Sequence, residues 1–229
     1  MAIIGDSITF LDQGEMQKQL SPEFKLNVSA TLGITLGQSM AAAQALSATN
    51  PNQGIIDLGS NDVLSPVPIS QAIADLNAIV ATFRETHCTH LVDLNTHMVA
   101  IDRGSVGVEA KQLNDEMHKL AKANSAIDIF GWDKIISDDI AAHPPNGTLT
   151  ADTVHPGPQA QKLLADELDT VLHRCWTPLA ILVISDTPSA RGLIGAPGEA
   201  LTPRRRRCVV SDGCTVGLPS RWRLLSRGR

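Results

Sequence analysis

Short runs of apolar residues alternate with longer stretches in which apolar residues recur every three or four positions. A short apolar run is typical of a buried β-strand, and the longer period is typical of an amphipathic helix. The short runs predict strands over residues 2–4, 24–30, 54–58, 90–95 and 126–130. The periodic stretches predict helices over residues 11–20, 38–49, 69–85, 108–123 and 156–173.

The alternation of strand and helix favours a parallel sheet with helices on both faces. We therefore expect an α/β fold over residues 1–175, with Pro156 in the first turn of its last helix, where a missing N–H costs little. Ligands of such sheets bind at the carboxyl ends of the strands. Functional residues should then follow the strands directly.

Beyond Cys175 neither period continues, and Pro, Gly, Ser and Arg dominate. Residues 1–175 hold 10 Lys/Arg and 21 Asp/Glu, whereas residues 176–229 hold 9 Arg and 3 acidic residues. This contrast predicts a folded domain over 1–175 and an Arg-rich, disordered tail over 176–229. We favour a tail without function over an arm that binds nucleic acid or anionic surfaces, because the dense run 204–207 has no aromatic residue interleaved. A shifted reading frame in the gene would produce the same composition.

The most apolar run, residues 179–184, is far shorter than the roughly 20 residues of a membrane-spanning helix. The N-terminus has no basic region followed by a long apolar stretch, so no secretory signal is visible. The four cysteines fit neither a zinc spacing nor a dense disulfide framework. Cys88 and Cys175 could pair in an exported protein and would stay thiols in a cytosol.

Residue types suited to nucleophilic catalysis follow the predicted strands. They are Ser7 after the first strand, Gly33 after the second, Asn61 after the third, and Asp152 and His155 ahead of the last helix. A serine hydroxyl becomes a nucleophile when a histidine takes its proton, and a carboxylate holds that imidazole in one tautomer. The attacked carbonyl becomes an oxyanion, for which the Ser7 and Gly33 N–H groups and the Asn61 amide are candidate donors.

In order and spacing, four blocks resemble those of the SGNH hydrolases, also called GDSL-type esterases. The blocks are GDSIT at 5–9, GIT at 33–35, GSND at 59–62 and DTVHP at 152–156. The resemblance implies a flavodoxin-like three-layer α/β/α sandwich with a five-stranded parallel sheet. It implies a serine esterase that acts on carboxylic esters, with small acyl or acetyl esters favoured, and needs neither a metal nor an organic cofactor.

The same resemblance assigns roles to single residues of this chain. It implies Ser7, Asp152 and His155 as the catalytic triad, and Ser7, Gly33 and Asn61 as the oxyanion donors. We choose Gly33 over Gly37 for the second block, because Thr35 then falls where the family often has Thr or Ser.

The first strand is shorter than in most family members, which leaves open whether Met1 is an internal methionine of a longer protein. The resemblance and the possible cysteine pair favour export, whereas the missing leader favours the cytoplasm. Localisation and oligomeric state stay unassigned.

Residues near the predicted site are candidates for its pocket, namely Asp62, Asn95, Thr96 and His97. A metal site at His87, Cys88 and His90 is disfavoured, because strand alternation separates neighbours and no carboxylate lies at ligand spacing.

Two other functions compete with the esterase. One is a catalytically impaired carbohydrate- or lipid-binding module on the same fold, and the other is an anionic-surface or nucleic-acid binder that uses the Arg-rich tail.

Overall fold

The computed structural model describes residues 1–176, with side chains up to residue 174. The strands in these residues are β1 Ala2–Gly5, β2 Asn27–Ala30, β3 Gln53–Asp57, β4 Cys88–Val92, β5 Val99–Ala100, β6 Gly104–Ser105 and β7 Ile127–Phe130. Five of them form one sheet in the order β2-β1-β3-β4-β7, and β5 and β6 form a small antiparallel hairpin. All pairs in the larger sheet are parallel.

Helices cover both faces of this sheet. They are α1 Ser7–Leu20, α2 Leu36–Ser47, α3 Ser60–Leu64, α4 Ile69–Thr82, α5 Gly107–Ala123, α6 Trp132–Ala142 and α7 Pro158–Trp176. One apolar cluster joins the sheet to α1, α6 and α7, and a second joins it to α2, α3, α4 and α5. The predicted α/β class, the three layers and the five-stranded parallel sheet are therefore confirmed.

The strand order determines where a ligand would bind. The chain passes from β1 outward to β2 and then returns across β1 to β3, which is the flavodoxin-like order. Helices consequently leave β1 and β3 on opposite faces, and a crevice forms between the carboxyl ends of these two strands. A hydrogen bond of 3.1 Å from the Asp6 N–H to the Asp57 carbonyl joins the two strand ends.

Several helix boundaries differ from the sequence expectation. Helix α1 begins four residues earlier than predicted, because the Asp6 carboxylate caps it. The placement of Pro156 in the first turn of the last helix was wrong: α7 begins at Pro158, and Pro156 pairs with Thr150 in an isolated bridge. Helices α3 and α6 were not predicted. Helix α6 buries only Trp132 and Ile136 fully, which is too few apolar positions for a clear helical period.

An unusual core residue is Asp12, which lies on the sheet-facing side of α1. Its side chain is completely buried, and within the described residues neither carboxylate oxygen has a hydrogen-bond partner. Burial, followed by the negative charges of Asp57 and Glu15, raises the pKa of Asp12 to about 8. Asp12 is therefore largely protonated in the folded protein at neutral pH.

Replacing Asp12 with asparagine should weaken the loss of stability that occurs as pH rises from about 4 to about 8. From about pH 4 to about pH 8 the folded protein keeps this proton and the unfolded chain has lost it, so stability falls as pH rises. Replacing Asp12 with Asn removes this contribution, which is at most about 6 kcal/mol. Urea unfolding at pH 5 and pH 8 would measure it as a smaller difference between the two free energies of unfolding.

Asp115→Asn is the matched control, since Asp115 is exposed and pairs with Lys111 at 2.7 Å. It should keep the wild-type pH dependence. Other buried acids also titrate, so some pH dependence should persist in Asp12→Asn. Identical pH dependence in Asp12→Asn and the wild type would contradict the protonated state of Asp12.

No helix within residues 1–176 combines the length and the apolar character needed to cross a membrane. The predicted boundary between the domain and the tail stays a prediction, because residues 177–229 lie outside the described part of the chain.

Candidate active site

Ser7 lies where β1 ends and α1 begins. Gly5 ends the strand, and a Cβ at this position would collide with the Thr9 side chain. Asp6 accepts a hydrogen bond of 2.9 Å from the Ile8 N–H and so caps the helix. As the first helical residue, Ser7 has a backbone N–H without an acceptor inside the helix, at the positive end of the helix dipole.

Ser7, His155 and Asp152 form a continuous hydrogen-bonded array. The Ser7 Oγ lies 2.9 Å from His155 Nε2, and His155 Nδ1 lies 2.7 Å from Asp152 Oδ2. Asp152 Oδ1 also accepts the backbone N–H groups of Val154 at 3.0 Å and His155 at 2.7 Å. Partial burial raises the pKa of Asp152, but these hydrogen bonds outweigh it, and the pKa lies below its ordinary value.

The 152–155 turn, which carries Asp152 and His155, contains a strained residue. Thr153 has φ of 68°, in the left-handed region that β-branched residues rarely occupy. Such a conformation costs on the order of 1–3 kcal/mol and persists only where surrounding contacts hold it. Here Asn95 Nδ2 donates to the Thr153 carbonyl at 2.8 Å, and the Val99 N–H donates to Thr153 Oγ1 at 3.0 Å.

The second and third sequence blocks meet beside the nucleophile turn. Gly33 has φ of 71°, and a Cβ there would meet nothing within 4 Å, so its conformation rather than its space favours glycine. Asn61 Nδ2 donates at 3.0 Å to the carbonyl of Ile34, the residue that follows Gly33. The same nitrogen lies 3.3 Å from Asp6 Oδ2, so Asn61 links the first two blocks to its own.

Buried carboxyl groups lie directly beneath this edge. Thr9 Oγ1 donates to Asp57 Oδ2 at 2.6 Å, and Asp57 lies beside Asp6. Burial, followed by the charge of Asp57, raises the pKa of Asp6 to about 8, and burial raises the pKa of Asp57 to about 6. Near neutral pH this region therefore carries less negative charge than its sequence suggests.

Two of the residues predicted to line a pocket make hydrogen bonds to other segments of the fold. Asp62 is buried, and its Oδ2 accepts the Leu36 N–H at 2.9 Å, which fixes the start of α2. The Thr96 N–H and Oγ1 both donate to Asp133 Oδ1, at 2.6 and 2.8 Å. These contacts attach the segment after β4 to the first turn of α6.

The other two predicted pocket residues, Asn95 and His97, line a cavity of about 140 Å³. Thr150 and Thr153 also line it, so the cavity adjoins the 152–155 turn. Both polar groups of the Asn95 side chain nevertheless bond other parts of the protein. Its Oδ1 accepts the His97 N–H at 2.8 Å, and its amide donates to the Thr153 carbonyl.

The residues around Cys88 behave as core residues. His90 is buried, its Nε2 lies 3.1 Å from Gln53 Oε1, and burial lowers its pKa. Within the described residues, no group of three or more His, Cys, Asp or Glu side chains is arranged to hold a metal ion. Cys88 is disulfide-bonded. The Cys175 side chain lies outside the described part, so the predicted Cys88–Cys175 pair stays a prediction.

Sequence reasoning missed Thr153, Val99 and Asp57 as parts of this region. Thr153 lies between two recognised residues, but its left-handed backbone leaves no trace in the sequence. Val99 contributes a backbone N–H, which any residue except proline would supply. Asp57 was readable in principle, since a charged residue at the end of a buried strand is unusual.

No family model matches the chain, and no curated protein is similar to it in sequence. Solved structures are similar in fold. An acetyl xylan esterase, AlAXEase, has 18% identity and a TM-score of 0.64, over 75% of this chain and 100% of that one. A member of the lipolytic protein G-D-S-L family from Veillonella parvula has 15% identity and a TM-score of 0.63, over 76% and 97%.

The C-terminal catalytic domain of peptidoglycan O-acetyltransferase A from Streptococcus pneumoniae shares the fold as well. It has 19% identity and a TM-score of 0.60, over 76% of this chain and 92% of that domain. At these identities the likeness establishes the fold. The resemblance to SGNH hydrolases inferred from the four blocks is thus confirmed for the fold, which is one that esterases and an acetyltransferase share.

Proposed function

We propose that this protein is a carboxylic ester hydrolase that works through an acyl-enzyme on Ser7. The observation that carries the proposal is the continuous array from Ser7 through His155 to Asp152, with bonds of 2.9 and 2.7 Å. The array joins positions 148 residues apart in the sequence, at the sheet edge where this fold binds ligands. Such a connection is unexpected for an ordinary surface serine.

Each group has a defined role in the proposed reaction. Ser7 Oγ attacks the ester carbonyl carbon while His155 Nε2 takes the hydroxyl proton. Asp152 holds the imidazole through Nδ1 and stabilises its charged form. When the tetrahedral intermediate collapses, the C–O bond to the alcohol breaks and His155 gives its proton to the departing oxygen. Water, deprotonated by His155, then attacks the acyl group. The acyl C–O bond to Ser7 breaks, the acid leaves, and His155 returns its proton to Ser7 Oγ.

The oxyanion would form between the nucleophile turn and the second and third blocks. The proposed donors are the N–H groups of Ser7 and Gly33 and the side-chain amide of Asn61. The Asn61 amide bonds the Ile34 carbonyl at 3.0 Å and Asp6 at 3.3 Å, and the oxyanion would replace the longer of these bonds. The raised pKa of Asp6 supports this exchange, because a neutral carboxyl group competes less strongly for the amide than an anion does.

We place small acyl or acetyl esters first among the substrates. An acetyl xylan esterase and a peptidoglycan O-acetyltransferase domain are among the similar structures, and both names refer to acetyl groups.

Hydrolysis of p-nitrophenyl acetate, butyrate and octanoate by the full chain tests this function. We expect steady turnover that is fastest with acetate, and covalent labelling by a fluorophosphonate at Ser7. A sugar alcohol added as acceptor would show by mass spectrometry whether the acyl group goes to water or to another hydroxyl. A folded protein that neither turns over these esters nor takes the label would support the alternative of a catalytically impaired binding module.

Replacing Asn61 with alanine should reduce kcat by roughly 10²–10³-fold with little change in KM, the usual effect of losing one oxyanion donor. Asn61→Asp should be at least as damaging, because a carboxylate in place of the amide repels the oxyanion. Initial rates across a range of p-nitrophenyl acetate concentrations measure both constants. Wild-type kcat in both variants would remove Asn61 from the proposed oxyanion hole.

A further inference from the structure

The 152–155 turn accepts hydrogen bonds from the segment that follows β4. We propose that Asn95 and Thr153 are positioning residues, which together hold this turn in the conformation that directs His155 at Ser7. The proposal rests on the proposed function for its effect on the rate. Neither residue bonds to Ser7 or to the His155 ring, so each acts through the turn.

The turn does not hold its shape by local preference alone. Asp152 accepts the Val154 and His155 N–H groups, which folds the chain back, and Thr153 between them has φ of 68°. Threonine is disfavoured in this left-handed region because its branched side chain crowds the backbone. Without further contacts the turn would therefore relax toward an ordinary backbone conformation, and the imidazole would move with it.

Two hydrogen bonds supply these contacts, one to the Thr153 carbonyl and one to its hydroxyl. The Asn95 amide binds its carbonyl at 2.8 Å, and the Val99 N–H binds its hydroxyl at 3.0 Å. A residue held at both its carbonyl and its side chain cannot rotate about its backbone without breaking at least one bond. The two hydrogen bonds thus restrain the backbone dihedral angles of Thr153, which set the direction of the turn.

The Asn95 side chain is itself fixed. It is 3% exposed, and its Oδ1 accepts the His97 N–H at 2.8 Å. The adjacent Thr96 is attached to Asp133 through two hydrogen bonds. The hydrogen bond from Asn95 therefore comes from a segment that is itself attached to α6, and the hydrogen bond from Val99 comes from β5.

The experiment combines Asn95→Ala with Thr153→Asn. Asn95→Ala alone should lower kcat for p-nitrophenyl acetate by roughly 10–100-fold, the scale expected for a small misplacement of a catalytic group, and leave KM nearly unchanged. Asparagine occupies the left-handed region more readily than threonine. In a Thr153→Asn background, the loss caused by Asn95→Ala should therefore largely disappear. An equal loss in both backgrounds, or no loss in either, would overturn the proposal.

Asn77→Ala is the matched control, because its amide also donates to a backbone carbonyl at 2.8 Å, that of Ile73 on α4. It should leave kcat unchanged. If Asn95→Ala fails to fold, Thr153→Val serves as the second variant, since it keeps the branched shape and removes the hydroxyl that accepts the Val99 N–H. It should lower kcat in the same way, and an unchanged kcat would count against the proposal.

A second readout does not depend on esterase activity. Backbone amide exchange followed by NMR should be faster at Val154 and His155 in Asn95→Ala than in the wild type or in Asn77→Ala. If the wild type hydrolyses no ester, the proposed function fails, and amide exchange alone decides whether the turn is held in this way. Unchanged exchange at both amides would overturn the positioning role whatever the enzyme activity.

Discussion

Replacing Ser7 with alanine should lower kcat for p-nitrophenyl acetate by roughly 10⁴–10⁶-fold, because no acyl-enzyme forms without the hydroxyl oxygen. The remaining rate would come from substrate binding and the oxyanion donors, which act without a nucleophile. Ser7 is 7% exposed and its hydroxyl bonds His155, so alanine removes one hydrogen bond and leaves the backbone of α1 in place. Initial rates and fluorophosphonate labelling should both be lost, while the melting temperature changes little.

Ser47→Ala is a suitable control for this variant, since Ser47 lies on the last turn of α2 and its hydroxyl donates to the Gln44 carbonyl. It should retain the wild-type rate and the label. A Ser7→Ala protein that keeps near wild-type turnover would exclude Ser7 as the nucleophile. The array from Ser7 to Asp152 would then need another explanation.

Replacing His155 with alanine should reduce kcat about as much as Ser7→Ala does, because within the described residues His155 is the only base hydrogen-bonded to the Ser7 hydroxyl. The double variant Ser7→Ala/His155→Ala should be no slower than either single variant, since the two residues act as one unit. Rates of all three proteins with p-nitrophenyl acetate measure this non-additivity. Losses that multiply would indicate that Ser7 and His155 contribute independently.

The chain offers a close control for His155. His143 Nδ1 lies 2.9 Å from Asp139 Oδ1, which reproduces the pairing of His155 with Asp152 at a different place. Because His143 is not hydrogen-bonded to Ser7, His143→Ala should leave kcat unchanged. A loss of activity in His143→Ala as large as in His155→Ala would show that histidine removal acts through stability rather than through proton transfer.

The sequence predicted the strands of the larger sheet more completely than the helices. All five predicted strands overlap observed strands, because buried strands form apolar runs in the sequence, but the strand predicted at 90–95 shares only residues 90–92 with β4. The strand predicted at 24–30 forms only over Asn27–Ala30, where it pairs with β1 at the edge of the sheet. Helix α6 escaped notice because its buried side is narrow, and its position depends on packing against the sheet.

The candidate site was predicted residue by residue, but its supporting contacts were not. Ser7, Asp152 and His155 could be named because their chemical types are rare in this order and spacing, and the structure brings them together. Thr96 and Asp62 were predicted to line a pocket from their position after strands. The structure shows that they bond Asp133 and the start of α2, and their pocket role stays a prediction. Position after a strand locates a residue at an edge but does not determine the direction of its side chain.

The sequence by itself determined the layer order, the parallel sheet and the chemical groups available at its carboxyl edge. Apolar periodicity and local motifs carry this information, since both depend on neighbours along the chain. The tertiary structure alone decided that Asn95 and Val99 hold Thr153 in a left-handed conformation and that Asp12 is buried as a largely protonated acid. These features arise from contacts between distant segments and from the exclusion of water. Neither can be predicted from a local stretch of residues.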